Sequence, residues 1–519
     1  MSAASSKDNL LVELKGHLPS ALWDAVDNKL RQLECAELKI QVLEERLRRQ
    51  RMEKYGPGSE KLSNLQLELL EEEPGAGHAE VQAESEREPL ATPAKSRQER
   101  KHPGRQTLPA NLPRVERVIR CTAEQCVCTR CKQETSVIGY DRSEYLDVEP
   151  AKYLVVVTKR EKRACKHCSE GGVVAAPLAA RIVEKGLVSD RIVIDTMVNK
   201  YSDHLPLYRQ SAILQRDVGL EISRATMDGW VMRVGELLLP LAGAMGRELL
   251  AGSYLQADET PVAVQWHDGR GANHQAYLWQ YGRPGASTVF DFRMGRGREG
   301  PKQFLGNFQG ILQTDGYAAY DHVGGPGLVH AACWAHARRK FFEAAKLHPQ
   351  DLPAARLVAR INELFAIDAR ARENSLGHAE RHPLRQQEAP LLLEALHTEI
   401  KTALHQALPA SALGKACNYT LALWKKLTRF LDHPELELSN NLAENSMRPI
   451  AVGRKNWIHL GSQQAGPKIA AVLSVVETCR RLKIPARDYL AAVLPSLANT
   501  SLRRLAELTP SAWAHSLAG

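Results

Sequence analysis

Three acidic residues stand in three separate phrases of this chain: Asp258 in Leu-Gln-Ala-Asp-Glu-Thr, Asp315 in Leu-Gln-Thr-Asp-Gly-Tyr, and Glu444 in Ser-Asn-Asn-Leu-Ala-Glu-Asn. The two aspartates each end a short apolar, β-prone run, and Glu444 follows a helix-start signal. Carboxylates converging from two strand ends and one helix supply oxygen ligands for paired divalent ions, Mg²⁺ or Mn²⁺. One ion of such a pair lowers the pKa of a water or a 3′-hydroxyl, and the other stabilises the leaving oxygen, which is the chemistry of phosphoryl transfer on nucleic acid. Gly316 directly after Asp315 permits a sharp exit from the strand. Each carboxylate also has a plainer reading as a solvated side chain. For Glu444 the plainer reading is a capping box with Asn441, in which the carboxylate satisfies a helix-start amide.

A second group of chemically able residues is the two tight cysteine pairs, Cys128-x-x-Cys131 and Cys165-x-x-Cys168. Two such knuckles close a tetrahedral thiolate site for a structural Zn²⁺, with no open position for catalysis. Disulfides or reactive thiols are the alternative, and Cys121 and Cys126 blur which cysteine is the first ligand. Arg448, Arg454 and Lys455 follow Glu444 closely and are candidates to hold a DNA phosphate beside it. Trp457 either stacks on a base or enters the core. His330-x-x-Cys333-x-x-His336 offers metal ligands at helical spacing. It also reads as a strand running into a helix over 329–345, with His336, Arg338, Arg339 and Lys340 on a polar face.

The net charge of +9 suits a nucleic-acid partner, although a basic enzyme of another kind carries the same balance. No run of about 18 apolar residues occurs, so no membrane span is expected. The N-terminus lacks the charged and apolar regions of a secretory signal. Ten cysteines without an export signal argue against a disulfide framework and for a cytoplasmic protein.

The elements that must position these groups read as follows. Residues 20–54 form one helix with Val26, Leu33, Ile40 and Leu47 at heptad spacing, either a short coiled coil or a helix packed on its own domain. Residues 71–107 have the composition of a disordered linker, with a basic end at Lys95, Arg97, Arg100, Lys101 and Arg105. The cysteine module spans 108–172, with a β-run at 153–158 and a hairpin expected between the cysteine pairs. Residues 173–250 are helical. Within them a turn at 217–219 and a second helix from Ser223 to about 234 outline a helix-turn-helix, which serves DNA docking or braces the next domain. Strands are expected at 254–265, 276–281, 287–292 and 311–314, with a helix near 302–307. The expected catalytic domain is 251–475, with a helical insertion at about 345–435. A C-terminal helical tail covers 476–519, and the N-terminal helical region covers 1–70. The predicted class is a multidomain α+β chain with a mixed sheet.

Taken together, these phrases resemble the transposases of the insertion sequence 66 family, in that family's order and over most of the chain. Beyond those already quoted, they include Tyr-Gly-Pro-Gly-Ser-Glu-Lys at 55–61, Leu-Pro-Ala-Asn-Leu-Pro-Arg at 108–114 and His-Leu-Pro-Leu-Tyr-Arg at 204–209. Cys-Trp-Ala-His-Ala-Arg-Arg-Lys-Phe at 333–341, Gly-Arg-Lys-Asn-Trp at 453–457 and Leu-Thr-Pro-Ser-Ala-Trp at 508–513 complete the set, the last with Thr509 where the family pattern has leucine. The resemblance implies a ribonuclease-H-like catalytic domain in which Asp258, Asp315 and Glu444 are the DDE triad. It implies hydrolysis at the ends of a mobile element, then attack of the freed 3′-hydroxyl on target DNA. Implied partners are double-stranded DNA, further copies of the chain, and helper proteins of the same element, in a bacterial, nucleoid-associated setting. The alternative is a catalytically inactive, zinc-containing DNA-binding protein of the same element.

Overall fold

The computed structural model describes residues 19–55, 130, 133, 153–164, 173–177, 180–184, 186–265, 273–347, 352–457 and 459–518. The linker at 71–107 and Cys121, Cys126, Cys128, Cys131, Cys165 and Cys168 lie outside the described residues. The chain divides into two units, residues 88–177 and the rest. In the smaller unit β1 (Lys162–Ala164) pairs antiparallel with β2 (Val173–Ala175). This hairpin flanks the second cysteine pair, and most of the gap between the pairs, where a hairpin is expected, lies outside the described residues. The β-run expected at 153–158 has no strand partner among the described residues, and its valines are exposed.

In the larger unit α1 (Ser20–Tyr55) matches the expected N-terminal helix. Leu33, Ile40, Leu43 and Leu47 on its heptad seam are 49–61% exposed among the described residues. Glu45 is buried and accepts a hydrogen bond from the Ala412 amide at 2.6 Å. Three helices follow: α2 (Asp190–Tyr201), α3 (Leu207–Val218) and α4 (Arg224–Leu250). Gly219, at φ 69°, ends α3 in the left-handed region, and the Ser223 hydroxyl caps α4 by accepting from Thr226 N. The helix-turn-helix outline is therefore present, but its second helix continues past 234 to Leu250. Met227, Val231, Val234, Leu238, Leu241, Met245 and Leu249 recur every three or four residues and are all fully buried, so one continuous apolar stripe carries α4 through.

The sheet of this unit has five strands, in spatial order 288–293, 274–282, 254–264, 311–314 and 329–332. Strands β3 (Tyr254–Val264), β4 (His274–Gly282) and β5 (Thr288–Arg293) form an antiparallel meander. The short α5 (Glu299–Leu305) leads into β6 (Ile311–Thr314), which lies parallel to β3, and β7 (Val329–Ala332) lies parallel to β6. From β7 the chain enters α6 (Trp334–Leu347) and then a helical insertion. It comprises α7 (Leu352–Glu373), α8 (His378–Gln406), α9 (Ala412–Ala422) and the single turn α10 (Trp424–Leu427). Trp334, Phe341, Ile361, Leu396 and Phe430 belong to a second apolar core that the insertion builds against α6.

The chain returns to the sheet through α11 (Asn441–Trp457) and continues in α12 (Ala465–Arg481), α13 (Ala486–Leu497) and α14 (Pro510–Ala518). Helix α12 packs between β5 and α4. Its Ser474 and Thr478 hydroxyls accept from the amides of Phe290 (2.8 Å) and Thr288 (2.9 Å), which satisfies the open edge of β5. This helix runs unbroken across position 475, where the sequence reading sets a domain edge. Among the described residues no helix is long and apolar enough to cross a membrane.

Candidate active site

Strand register sets the two aspartates side by side. Parallel pairing of β3 with β6 aligns Gln256 with Gln313, and continuing that register by two residues brings Asp258 next to Asp315. Asp258 is not at a strand end, as its phrase suggested, because β3 continues to Val264 on its pairing with β4. It lies where β6 stops, which exposes one flank of β3 to the incoming helix. Asp315 leaves β6 through Gly316, at φ 91°, and its Oδ1 accepts from Tyr317 N at 2.8 Å. Side chains alternate faces along a strand, so Glu259 points to the opposite face. There it is held by Arg296 at 2.7 Å and by the Tyr320 hydroxyl at 2.9 Å.

Glu444 arrives from the far side of the insertion, and the residues leading into α11 are pinned along their backbone. Gln313 donates to Glu437 O (2.7 Å), Gln256 donates to Ser439 O (3.0 Å), and Trp334 N donates to Leu438 O (2.9 Å). From the insertion, Arg381 donates to Pro434 O (3.0 Å) and Arg385 to Leu436 O (2.8 Å). Arg385 is itself paired with Asp368 at 2.5 Å, both side chains being 1% exposed. The two glutamines are buried and bonded to each other at 3.2 Å, with the Tyr254 hydroxyl bridging them. They share a sheet face with the aspartates one step further along, so one polar ladder fixes the strands and the path of the returning chain.

The three carboxylates stand near enough for Glu444 and Asp315 both to act on Asp258, while the tightest ligand group among the described residues is Cys333, His336 and Glu444. Burial, then repulsion from Glu444, Glu259 and Asp315, pushes Asp258 well above the usual carboxylate range. Burial also acts to raise Glu444, but Arg339, His336 and Arg448 outweigh it and hold Glu444 below its ordinary value. Glu444 does not close a capping box. Its Oε2 bonds Arg339 at 3.2 Å, its Oε1 faces His336 Nδ1 at 3.4 Å, and Oε1 is shielded from solvent without a hydrogen-bond partner. Burial lowers the His336 pKa, against the pull of Glu444. Half-buried carboxylates that all offer oxygen, one of them destabilised by its acidic neighbours, fit a hard divalent cation such as Mg²⁺ or Mn²⁺.

The remaining candidates separate. Arg448 is exposed and close enough to Glu444 to help lower its pKa. Arg454 braces α11 on β3 by donating to Thr260 Oγ1 (3.0 Å) and Pro261 O (2.6 Å), and Lys455 is exposed. Trp457 packs on the apolar core, tilted against Tyr201 with ring centroids 6.2 Å apart. The strand-to-helix reading of 329–345 holds, but Arg338 is not on a polar face. It is buried and bonded to Asn362 of α7, because the insertion covers that side of α6. His330 feels Lys426 and Asp321, whereas Cys333 and His336 stand with Glu444, their ligand atoms within 4.8 Å of one another. Burial pushes the Cys333 thiol up to about 12, and its sulfur accepts from Asn440 N at 3.4 Å. Gln256 and Gln313 are site residues that sequence reasoning missed, as is the pairing of Arg339 with Glu444, whereas His336 was among its candidate metal ligands. The repeated phrase Leu-Gln-x-Asp in both strands is the signal that pointed to the glutamines.

Comparison with known proteins agrees with this architecture. Residues 125–169, which hold all four paired cysteines, match the zinc-finger binding domain of transposase IS66, and residues 42–117 match the domain described as transposase C of IS166 homeodomain. The chain is similar to two uncharacterized proteins of Sinorhizobium fredii. It is 33% identical to y4qI over 86% of its own length and 83% of that protein, and 30% identical to y4hP over 92% and 88%. Residues 185–468, more than half of the chain and the stretch carrying all three carboxylates, match the model described as transposase IS66 family. The protein belongs to the IS66 transposase family.

Proposed function

We propose that this protein is a DDE-type transposase that cuts the ends of its insertion sequence and joins them to target DNA, with Asp258, Asp315 and Glu444 as the catalytic and metal-holding residues. The observation that carries this reading is the parallel register of β3 and β6, which sets Asp258 and Asp315 on adjacent strand lines, with Glu444 on α11 near enough to act on Asp258. Paired ions held there would lower the pKa of a water or 3′-hydroxyl and stabilise the leaving oxygen. The chain's own groups do the rest. Gln256 and Gln313 keep the strands and the approach to α11 in register, Arg339 orients Glu444, and Arg448 and Lys455 hold DNA phosphate. Arg454 contributes by seating α11 on β3. The mixed sheet, with one aspartate on β3 and the other directly after β6, supports a ribonuclease-H-like catalytic domain. Cys128, Cys131, Cys165 and Cys168 would hold a structural Zn²⁺, for which four thiolates are a fitting donor set. The exposed seam of α1 supports pairing of two copies. A strand-transfer assay on the element's terminal sequences tests the reading. Asp258→Asn, Asp315→Asn and Glu444→Gln should each lower cleavage and joining on the order of 10³-fold, as expected for losing about 4 kcal/mol of transition-state stabilisation. Activity unchanged in all three would refute it.

A further inference from the structure

We propose that His336 is a fourth protein ligand of the divalent-metal site, adding an imidazole nitrogen beside Glu444 so that the ion held there is Mn²⁺ in preference to Mg²⁺. This inference rests on the three-carboxylate reading and sharpens it. His336 is the third residue of α6, and its Nδ1 stands 3.4 Å from Glu444 Oε1. Both atoms are shielded from solvent and neither has a hydrogen-bond partner. A simple imidazole–carboxylate pair would place a hydrogen bond between them, and none is formed. Two ligands bound at about 2.0–2.2 Å to one ion, at 90–110° to each other, stand about 3.0–3.5 Å apart, which is the separation seen. Arg339, one turn further along the same helix, holds Oε2 of Glu444 and leaves Oε1 for another partner. Cys333 is near both atoms but is engaged as the acceptor of the Asn440 amide. Mg²⁺ wants an octahedron of oxygens and keeps its waters, whereas Mn²⁺, also at home among oxygens, belongs to the transition-metal series and tolerates an imidazole nitrogen beside them.

Mn²⁺ binding to the full, zinc-replete chain tests this by electron paramagnetic resonance, with Mg²⁺ as competitor. Asp258-dependent bound Mn²⁺ should show ¹⁴N hyperfine coupling that disappears in His336→Ala. Mn²⁺ affinity in that variant should fall about 10–100-fold, with Mg²⁺ affinity within about two-fold of the parent. Asp258→Asn should weaken both ions together. Mn²⁺ bound in an Asp258-dependent way but without ¹⁴N coupling in the unaltered protein overturns the role of His336 and leaves the carboxylate site standing. No Asp258-dependent binding of either ion overturns both readings.

Discussion

Gln313→Leu isolates the device that brings Glu444 home. Leucine keeps most of the volume and removes both amide atoms. In the native protein the Gln313 oxygen accepts from the Tyr254 hydroxyl at 2.5 Å and from Gln256 at 3.2 Å, and its nitrogen donates to Glu437 O at 2.7 Å. Gln256 keeps its bonds to Tyr254 and to Ser439 O, so two buried groups lose their partners outright, the Tyr254 O–H and the Glu437 carbonyl. Each such orphan costs about 1–3 kcal/mol, and removing the amide's own desolvation offsets part of that, giving a net loss of about 2–4 kcal/mol. Urea unfolding followed by tryptophan fluorescence should show the midpoint falling by that energy divided by the slope. The effect reaches past stability, because the bonded carbonyl lies on the segment that sets the register of α11. A displacement of about 1 Å at Glu444 would lower cleavage roughly 10²-fold under conditions where the variant remains folded. A midpoint within about 0.5 kcal/mol of the parent, together with unchanged cleavage, would refute the idea that this amide positions the third carboxylate.

Gly316→Ala forces φ 91° on a residue with a Cβ and sets that carbon 2.5 Å from Leu423 Cδ1. It should cost about 1–3 kcal/mol in the same urea assay and shift Asp315 enough to depress cleavage. Arg385→Met leaves the buried Asp368 charge with the more distant Arg381, at 3.7 Å, and should cost about 2–4 kcal/mol, while adding Asp368→Leu should recover part of the loss. A double variant no more stable than the single one would argue against the pair. His330 is lowered from 6.5, first by burial and then by Lys426 and His322, with Asp321 opposing. A depressed folded-state pKa gives stability that is present above the unfolded value and lost as pH falls through the folded one. The thermal midpoint should therefore drop on acidification below about pH 6.5, and less steeply in His330→Asn. Equal slopes in parent and variant would remove His330 from the account.

Much of the catalytic geometry was legible because strands write their register locally. The four strand runs and their apolar patterning were enough to expect Asp258 and Asp315 at strands, though not that those strands are neighbours. What escaped was non-local. The end of β6, not any feature of β3, makes Asp258 accessible, and a strand's partner is invisible in its own phrase. The capping box read from Asn441 and Glu444 failed because Arg339, over a hundred residues earlier, pulls the carboxylate away from its own helix end. Arg338 looked solvent-facing until an insertion with its own core covered it. Of the polar ladder, only the twice-written Leu-Gln-x-Asp was there to be read, and a glutamine on a buried strand face asks for a partner that sequence spacing does not name.

The insertion also sets a clock. The third carboxylate leaves the ribosome roughly 130 residues after the second, and the segment that leads into its helix is bonded to Arg381 and Arg385 of the insertion. At 5–20 residues per second this is a delay on the order of 6–26 s. Throughout that interval the emerging chain holds both aspartates and everything N-terminal to them, but no complete ligand set. On the proposed function, a chain that stops short of Glu444, through truncation or through failure of the insertion to close, would be a silent competitor for the same DNA ends and not a weaker enzyme.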